Sequence, residues 1–202
     1  MSKNRRKKRR SVLRGREQGL RRRSLDELQT AFNRADDLIA RSQAQAAVEL
    51  LTPLLASYPR EPRLHYYLGY AHVKAGDTWN GLEGYERAWE LSRDPGYWLP
   101  LASLYMEVTL YTHALRAFRQ VIGQDANNPQ IDLARVTAAS IEQDIYETAH
   151  NLGLPARRVE EGLYYLEKGQ RALHTGDYPA CIAANQRAIK SLGEWSPPLN
   201  NL

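Results

Sequence analysis

The amino-acid sequence predicts an all-α fold built from paired helices, and three observations lead there. Apolar residues recur at three- and four-residue steps, as in Leu28, Phe32, Ala35, Leu38 and Ile39, the spacing of one face of an α-helix. Gly-Asp pairs stand between such stretches at Gly76-Asp77 and Gly176-Asp177. Glycine takes a left-handed turn at little cost, and aspartate caps the helix that follows. Similar stretches also begin near residues 28, 62, 95 and 162, giving gaps of 34, 33 and 67, the last close to two repeats. A fixed period of this length marks stacked helical units.

The first 23 residues stand apart. They hold 12 Lys+Arg against one acid, Glu17, for a net charge of +11, whereas residues 24–202 sum to −6. The overall figure of +5 therefore averages a basic arm with an acidic body. With only Val12, Leu13 and Leu20 to pack, residues 1–23 are expected to be disordered in isolation. Their run of Arg5, Arg6, Lys7, Lys8, Arg9 and Arg10 is suited to contact phosphates by releasing counterions. RNA, DNA, a ribosome or another polyanion is the partner this arm predicts, and the alternative is a solvated tail. The arm lacks the apolar core of a secretory signal.

The folded body is expected to start at Ser24, where Ser24 and Glu27 form a capping box. Residues 24–127 hold three helix pairs. Pro53 falls inside the second helix of the first pair and should kink it. Residues 128–155 lack a Gly-Asp turn. Ile131, Ala134, Ala138, Ile141, Ile145 and Ala149 mark a long linking helix there, closed by Gly153 and Pro155, or a degenerate repeat. Residues 156–202 contain a further pair and the truncated start of another, where Leu199 and Leu202 open an apolar series. No terminal cap with a polar outer face follows, so the chain is expected to be a fragment of a longer protein.

The repeated residues resemble the tetratricopeptide repeat (TPR) family, whose unit is a helix–turn–helix of 34 residues. Leu68-Gly69 matches the Leu-Gly pair of the family's first helix, and Gly81, Tyr85 and Ala88 match the small–aromatic–small series of its second. Trp98, Leu101, Ala102 and Tyr105 match in the next unit, followed by Ala114, Phe118 and Val121. Ala35, Leu38, Ala47, Leu51, Leu54 and Pro59 form a weaker first unit, and Cys181, Asn185 and Ala188 belong to the last. The resemblance covers about 135 residues, roughly two thirds of the chain. It implies a right-handed superhelical α-solenoid whose first helices line a concave groove. The groove positions so implied are Gln29, Phe32, Asp36 and Ile39, then Arg63, Tyr66, Tyr70, Val73 and Lys74, then Leu99, Ser103 and Met106. Arg63, Tyr66 and Tyr70 form the expected centre, since Arg and Tyr anchor interfaces most often. The tyrosines alternatively pack between helices. The Lys and Asn constellation that clamps a C-terminal carboxylate in chaperone-binding members is absent.

Few residues carry chemistry. One cysteine excludes a disulfide framework, and no Cys/His spacing fits zinc. His65 and His72 stand at packing positions, and Cys181 is expected to be a buried, inert thiol. No phosphate-cradling loop, nucleophile elbow or HExxH run occurs. No apolar run approaches the roughly 20 residues of a membrane span. The expectation is a non-enzymatic cytoplasmic scaffold without cofactor or metal, binding a protein or peptide segment. The alternative is a nucleic-acid- or ribosome-associated protein held by its arm.

Overall fold

A computed structural model describes residues 25–123 and 129–193. The basic arm with Arg5–Arg10, the Ser24 cap and the helix start expected at 196–202 lie outside the described residues. The chain divides between Arg93 and Asp94 into two compact units. The first holds α1 (residues 25–40), α2 (Ala44–Leu51), a 3₁₀ turn (Thr52–Ala56), α3 (Pro62–Lys74) and α4 (Thr78–Ser92). The second opens on a short 3₁₀ turn (Pro95–Tyr97). It continues through α5 (Trp98–Glu107), α6 (Tyr111–Ile122), α7 (Pro129–Leu152), α8 (Ala156–His174) and α9 (Tyr178–Leu192). No strand occurs among the described residues.

Four helix-to-helix turns reveal the repeat in the backbone itself. Ser42, Gly76, Thr109 and Gly176 adopt left-handed φ values of 60°, 85°, 62° and 73°. Each turn is closed the same way. The amide after the left-handed residue reaches five residues back, from Gln43 to Leu38, Asp77 to His72, Leu110 to Tyr105 and Asp177 to Ala172, at 2.8–2.9 Å. This bond satisfies a carbonyl the helix end leaves orphaned. The turns at Gly76 and Gly176 are legible in the sequence because glycine announces them. Those at Ser42 and Thr109, where ordinary residues accept the strain, are not.

Thr109 is β-branched, so its left-handed backbone is the most strained of the four. Thr109→Gly is therefore expected to stabilise the second unit by about 1 kcal/mol, read as a higher urea midpoint. An unchanged or lower midpoint would refute strain at this turn.

Pro53 does not kink a continuing helix. The α-helical ladder stops at Leu51, and Thr52–Ala56 tightens into 3₁₀ geometry, with the Thr52 hydroxyl donating to the Val48 carbonyl at 2.7 Å. A residue without an N–H cannot extend the ladder, and the shorter-pitch turn uses the chain that follows.

Packing follows the periodicity. Leu28, Phe32 and Ala35 of α1, Ala47, Val48 and Leu51 of α2, and Leu64, Leu68 and Ala71 of α3 share one core. At the α3–α4 crossing Gly69, Gly81 and Gly84 let the two backbones meet. In the second unit, α7 is one helix of 24 residues, packed against α6 and α8. Its buried edge carries Ile131, Ala134, Ala138, Ile141, Ile145 and Ala149. Gly153, at φ 62°, ends it, with the Leu154 amide donating to Ala149 at 3.0 Å.

Candidate functional site

α3 supplies a single polar-aromatic side. Arg63, Tyr66, Tyr70 and Lys74 follow one another at three- and four-residue steps, so they lie one above another along the helix. α1 runs beside this side and contributes Gln29, Phe32 and Asp36. The Tyr67 ring stacks on Phe32 with centroids 4.4 Å apart and planes 8° from parallel. The Arg63 guanidinium lies 4.9 Å from the Phe32 centroid, and its Nη2 donates to Gln29 Oε1 at 3.1 Å. The Tyr67 hydroxyl donates to Asp36 Oδ2 at 3.2 Å. Further along, the Lys74 ammonium sits 5.5 Å from the Tyr70 ring.

Two expectations about this face change. Phe32, expected to line a groove, is 1% exposed, because the Tyr67 ring and Arg63 guanidinium cover it. Tyr66 is half-buried and packs by its edge on Tyr67 (5.8 Å) and against Tyr85 of α4 (5.4 Å). It helps hold α3 to its neighbour as well as facing outward. Burial raises its phenol pKa first, followed by the charges of Tyr70 and Asp36; for Tyr85 burial again leads. Arg63, Asp36 and Lys74 are exposed, and Tyr70 is half-buried. Tyr67, unpredicted, is the residue that ties Phe32 to Asp36. Its signal was the Tyr66-Tyr67 doublet, whose second ring turns toward α1. Ser103 (exposed) and Met106 (half-buried) lie on α5 in the second unit.

That unit carries a dense polar cluster. Glu167 of α8 is buried, and its carboxylate accepts at the start of α6. Oε1 takes the Thr112 amide at 2.7 Å, while Oε2 takes the Thr112 hydroxyl at 2.6 Å and the His113 amide at 3.1 Å. Nδ1 of His113 also lies 2.7 Å from Oε2. The His113 ring stacks on Tyr164 at 4.8 Å, and the Arg116 guanidinium lies 3.5 Å from the Tyr164 centroid. Hydroxyl, imidazole and carboxylate are all present here. Yet the hydroxyl bonds the carboxylate directly and Thr112 is 1% exposed, so no base faces a nucleophile that a substrate can reach. The geometry is that of a helix cap supplied from another helix. Nearby, Arg119 joins Glu142 of α7 (2.9 Å) to Glu160 of α8 (2.6 Å), and the hydrogen bond to Glu160 is the main cause raising its pKa.

The other sequence candidates also have local partners. His65 Nε2 lies 3.0 Å from the Pro59 carbonyl oxygen. His72 Nδ1 stands 3.2 Å from Asp77, whose carboxyl is held below its ordinary pKa chiefly by the Asn80 side chain. Cys181 is half-buried rather than buried, with the Asn185 amide donating to its sulfur at 3.6 Å. Among the described residues no group of three His, Cys, Asp or Glu is placed to hold a metal ion. No helix among them is long and apolar enough to cross a membrane.

Helix pairs recurring about every 34 residues, with shared turn geometry and small residues at their crossings, define an all-α helical-repeat protein of the TPR type. Two solved structures agree on the fold. A MamA double mutant from strain RS-1 superposes with a TM-score of 0.50 at 13% identity, over 82% of this chain and 94% of that one. MamA from residue 41 to its end, from Desulfovibrio magneticus RS-1, gives 0.50 at 12% identity, over 85% and 98%. A putative kinesin light chain of nearly identical TPR-like repeats from Podosopora anserina aligns at 0.47 and 14% identity, over 83% and 96%. No protein-family model matches the chain, and no curated protein matches it.

Proposed function

We propose that this protein is an interaction scaffold, and that the outward side of α3 in the first unit, with the flank of α1, binds a peptide or protein segment. The observation that carries this reading is the alignment of Arg63, Tyr66, Tyr70 and Lys74 along one side of α3. Arg63 is already held by Gln29 and Phe32, which lowers the entropy its guanidinium loses on binding. Tyr70 offers a ring and a hydroxyl, the amphipathic combination that interfaces favour. The mixture of cation and aromatic surface favours a segment bearing carboxylates beside apolar groups.

The test is selection of binders from a displayed random-peptide library with the full chain. Enriched peptides are expected to bind the double variant Tyr70→Ala/Lys74→Ala at least about tenfold more weakly, the size of a modest interface anchor. Both side chains are peripheral to the core, so helical content should not change. Absence of binders, or binding that ignores both substitutions, would remove the assignment.

A further inference from the structure

The last repeat differs from the earlier ones at one register. Counting six residues past each left-handed turn residue gives Val48, Leu82, Leu115 and Ile182. The first three are 8%, 0% and 0% exposed, whereas Ile182 is 58% exposed. Within the first unit, Val48 is covered because Leu64, Leu68 and Ala71 of α3 enter the same core. Counting thirteen residues gives Leu55, Trp89 and Ile122, which are half-buried, buried and half-buried, and Ile189 in the last, 50% exposed. Tyr178 is exposed as well. Tyr178, Ile182 and Ile189 fall in a stripe on one side of α9 at steps of four and seven, while Asn185 between them is half-buried with its side chain against Gly169 of α8. Ile182 occupies a stacking register that the earlier repeats bury, and the core edge of α9 (Ala184, Ala188, Leu192) lies on another side.

We infer that this stripe pairs with the same stripe of a second copy, through a two-fold antiparallel α9–α9 contact. The order of residues is self-complementary in that direction. A two-fold axis near Ala183 and Ala184 places Tyr178 opposite Ile189 of the other copy, with Ile182 between them. It also places Asp177 opposite Lys190 of the other copy, at both ends of the contact. α9 contains basic Arg187 and Lys190 but no acid, and Asp177 is its exposed N-cap. A parallel arrangement sets like charges together, whereas the antiparallel one pairs opposite charges and opposes the helix dipoles. An isologous interface of this kind closes on itself and gives a dimer, not a filament.

A single helix pair buries little area and belongs with weak associations, so the molar mass of the full chain is read by light scattering up to about 100 μM. A concentration-dependent monomer–dimer equilibrium is expected. Ile182→Glu and Ile189→Glu, both at exposed positions, should each leave a folded monomer by circular dichroism. Lys190→Glu should weaken dimerisation at least about tenfold, because it sets two acids together. A wild-type chain that stays monomeric throughout the range overturns the proposal. So does a dimer that survives Ile182→Glu, since that places the contact elsewhere.

Discussion

Glu167→Ala is expected to lower the unfolding free energy of the second unit by about 3 kcal/mol. Four donors converge on this carboxylate, and α6 has no capping side chain of its own, since its N-cap position is Leu110. Truncation leaves the Thr112 amide and hydroxyl buried without their acceptor, at about 1–3 kcal/mol for each unmet group. It also removes a negative charge from the positive end of a helix. Glu167→Gln should cost less, because one oxygen remains to accept while the new amide faces a donor. By contrast, the Arg87–Glu90 pair has side chains 48% and 57% exposed, and Glu90→Ala there should change stability by no more than about 0.5 kcal/mol. Urea denaturation followed by circular dichroism checks the ranking. Hydrogen exchange at the Thr112 and His113 amides checks the cause, since these should lose protection first. If Glu167→Ala unfolds at the same urea concentration as Glu90→Ala, the cap contributes nothing and the reading is wrong.

The contrast between this cap and the rest of the fold shows what a sequence can display. Asp77 and Asp177 sit beside the helices they cap, and their side chains accept the amides of Asn80 and Ala180 at 3.3 and 3.0 Å. Both were legible because a cap three residues away leaves a local pattern. Glu167 stands 55 residues from Thr112, and nothing around it separates it from a solvated glutamate. The one available hint is negative, since the third turn runs Thr109-Leu110 where the others supply an aspartate or a polar residue. Likewise, the edge of α7 was readable from period alone. Phe32 belongs to the expected groove only by analogy of position, and the Tyr67 ring that buries it comes from 35 residues further on. The exposed stripe of α9 escaped for a different reason. Exposure depends on what stacks next, and the residues at that register are as apolar as those the earlier repeats bury.

Gly84→Ala should be nearly as damaging, at about 2 kcal/mol, and the reason lies in what surrounds the added methyl. A Cβ on Gly84 meets Gly69 Cα at 2.6 Å, Gly69 N at 2.7 Å and the His65 carbonyl oxygen at 2.9 Å. All three are backbone atoms of α3, so no side chain can swing aside and the helices must separate. Alanine does return up to about 1 kcal/mol of intrinsic helix preference over glycine, which offsets part of the loss without reversing it. Gly162 provides the control. An added Cβ there meets only the Leu192 side chain, which is itself buried and must shift within the core, so Gly162→Ala should cost about 1 kcal/mol, less than Gly84→Ala. The two substitutions share chemistry and secondary structure and differ in whether the obstacle is rigid. Because α3 also carries Arg63, Tyr66 and Tyr70, displacing it at Gly84 should weaken any peptide selected on that face while Gly162→Ala leaves binding intact. Equal unfolding midpoints for the two variants would show that the α3–α4 backbones are not in the close contact the geometry describes.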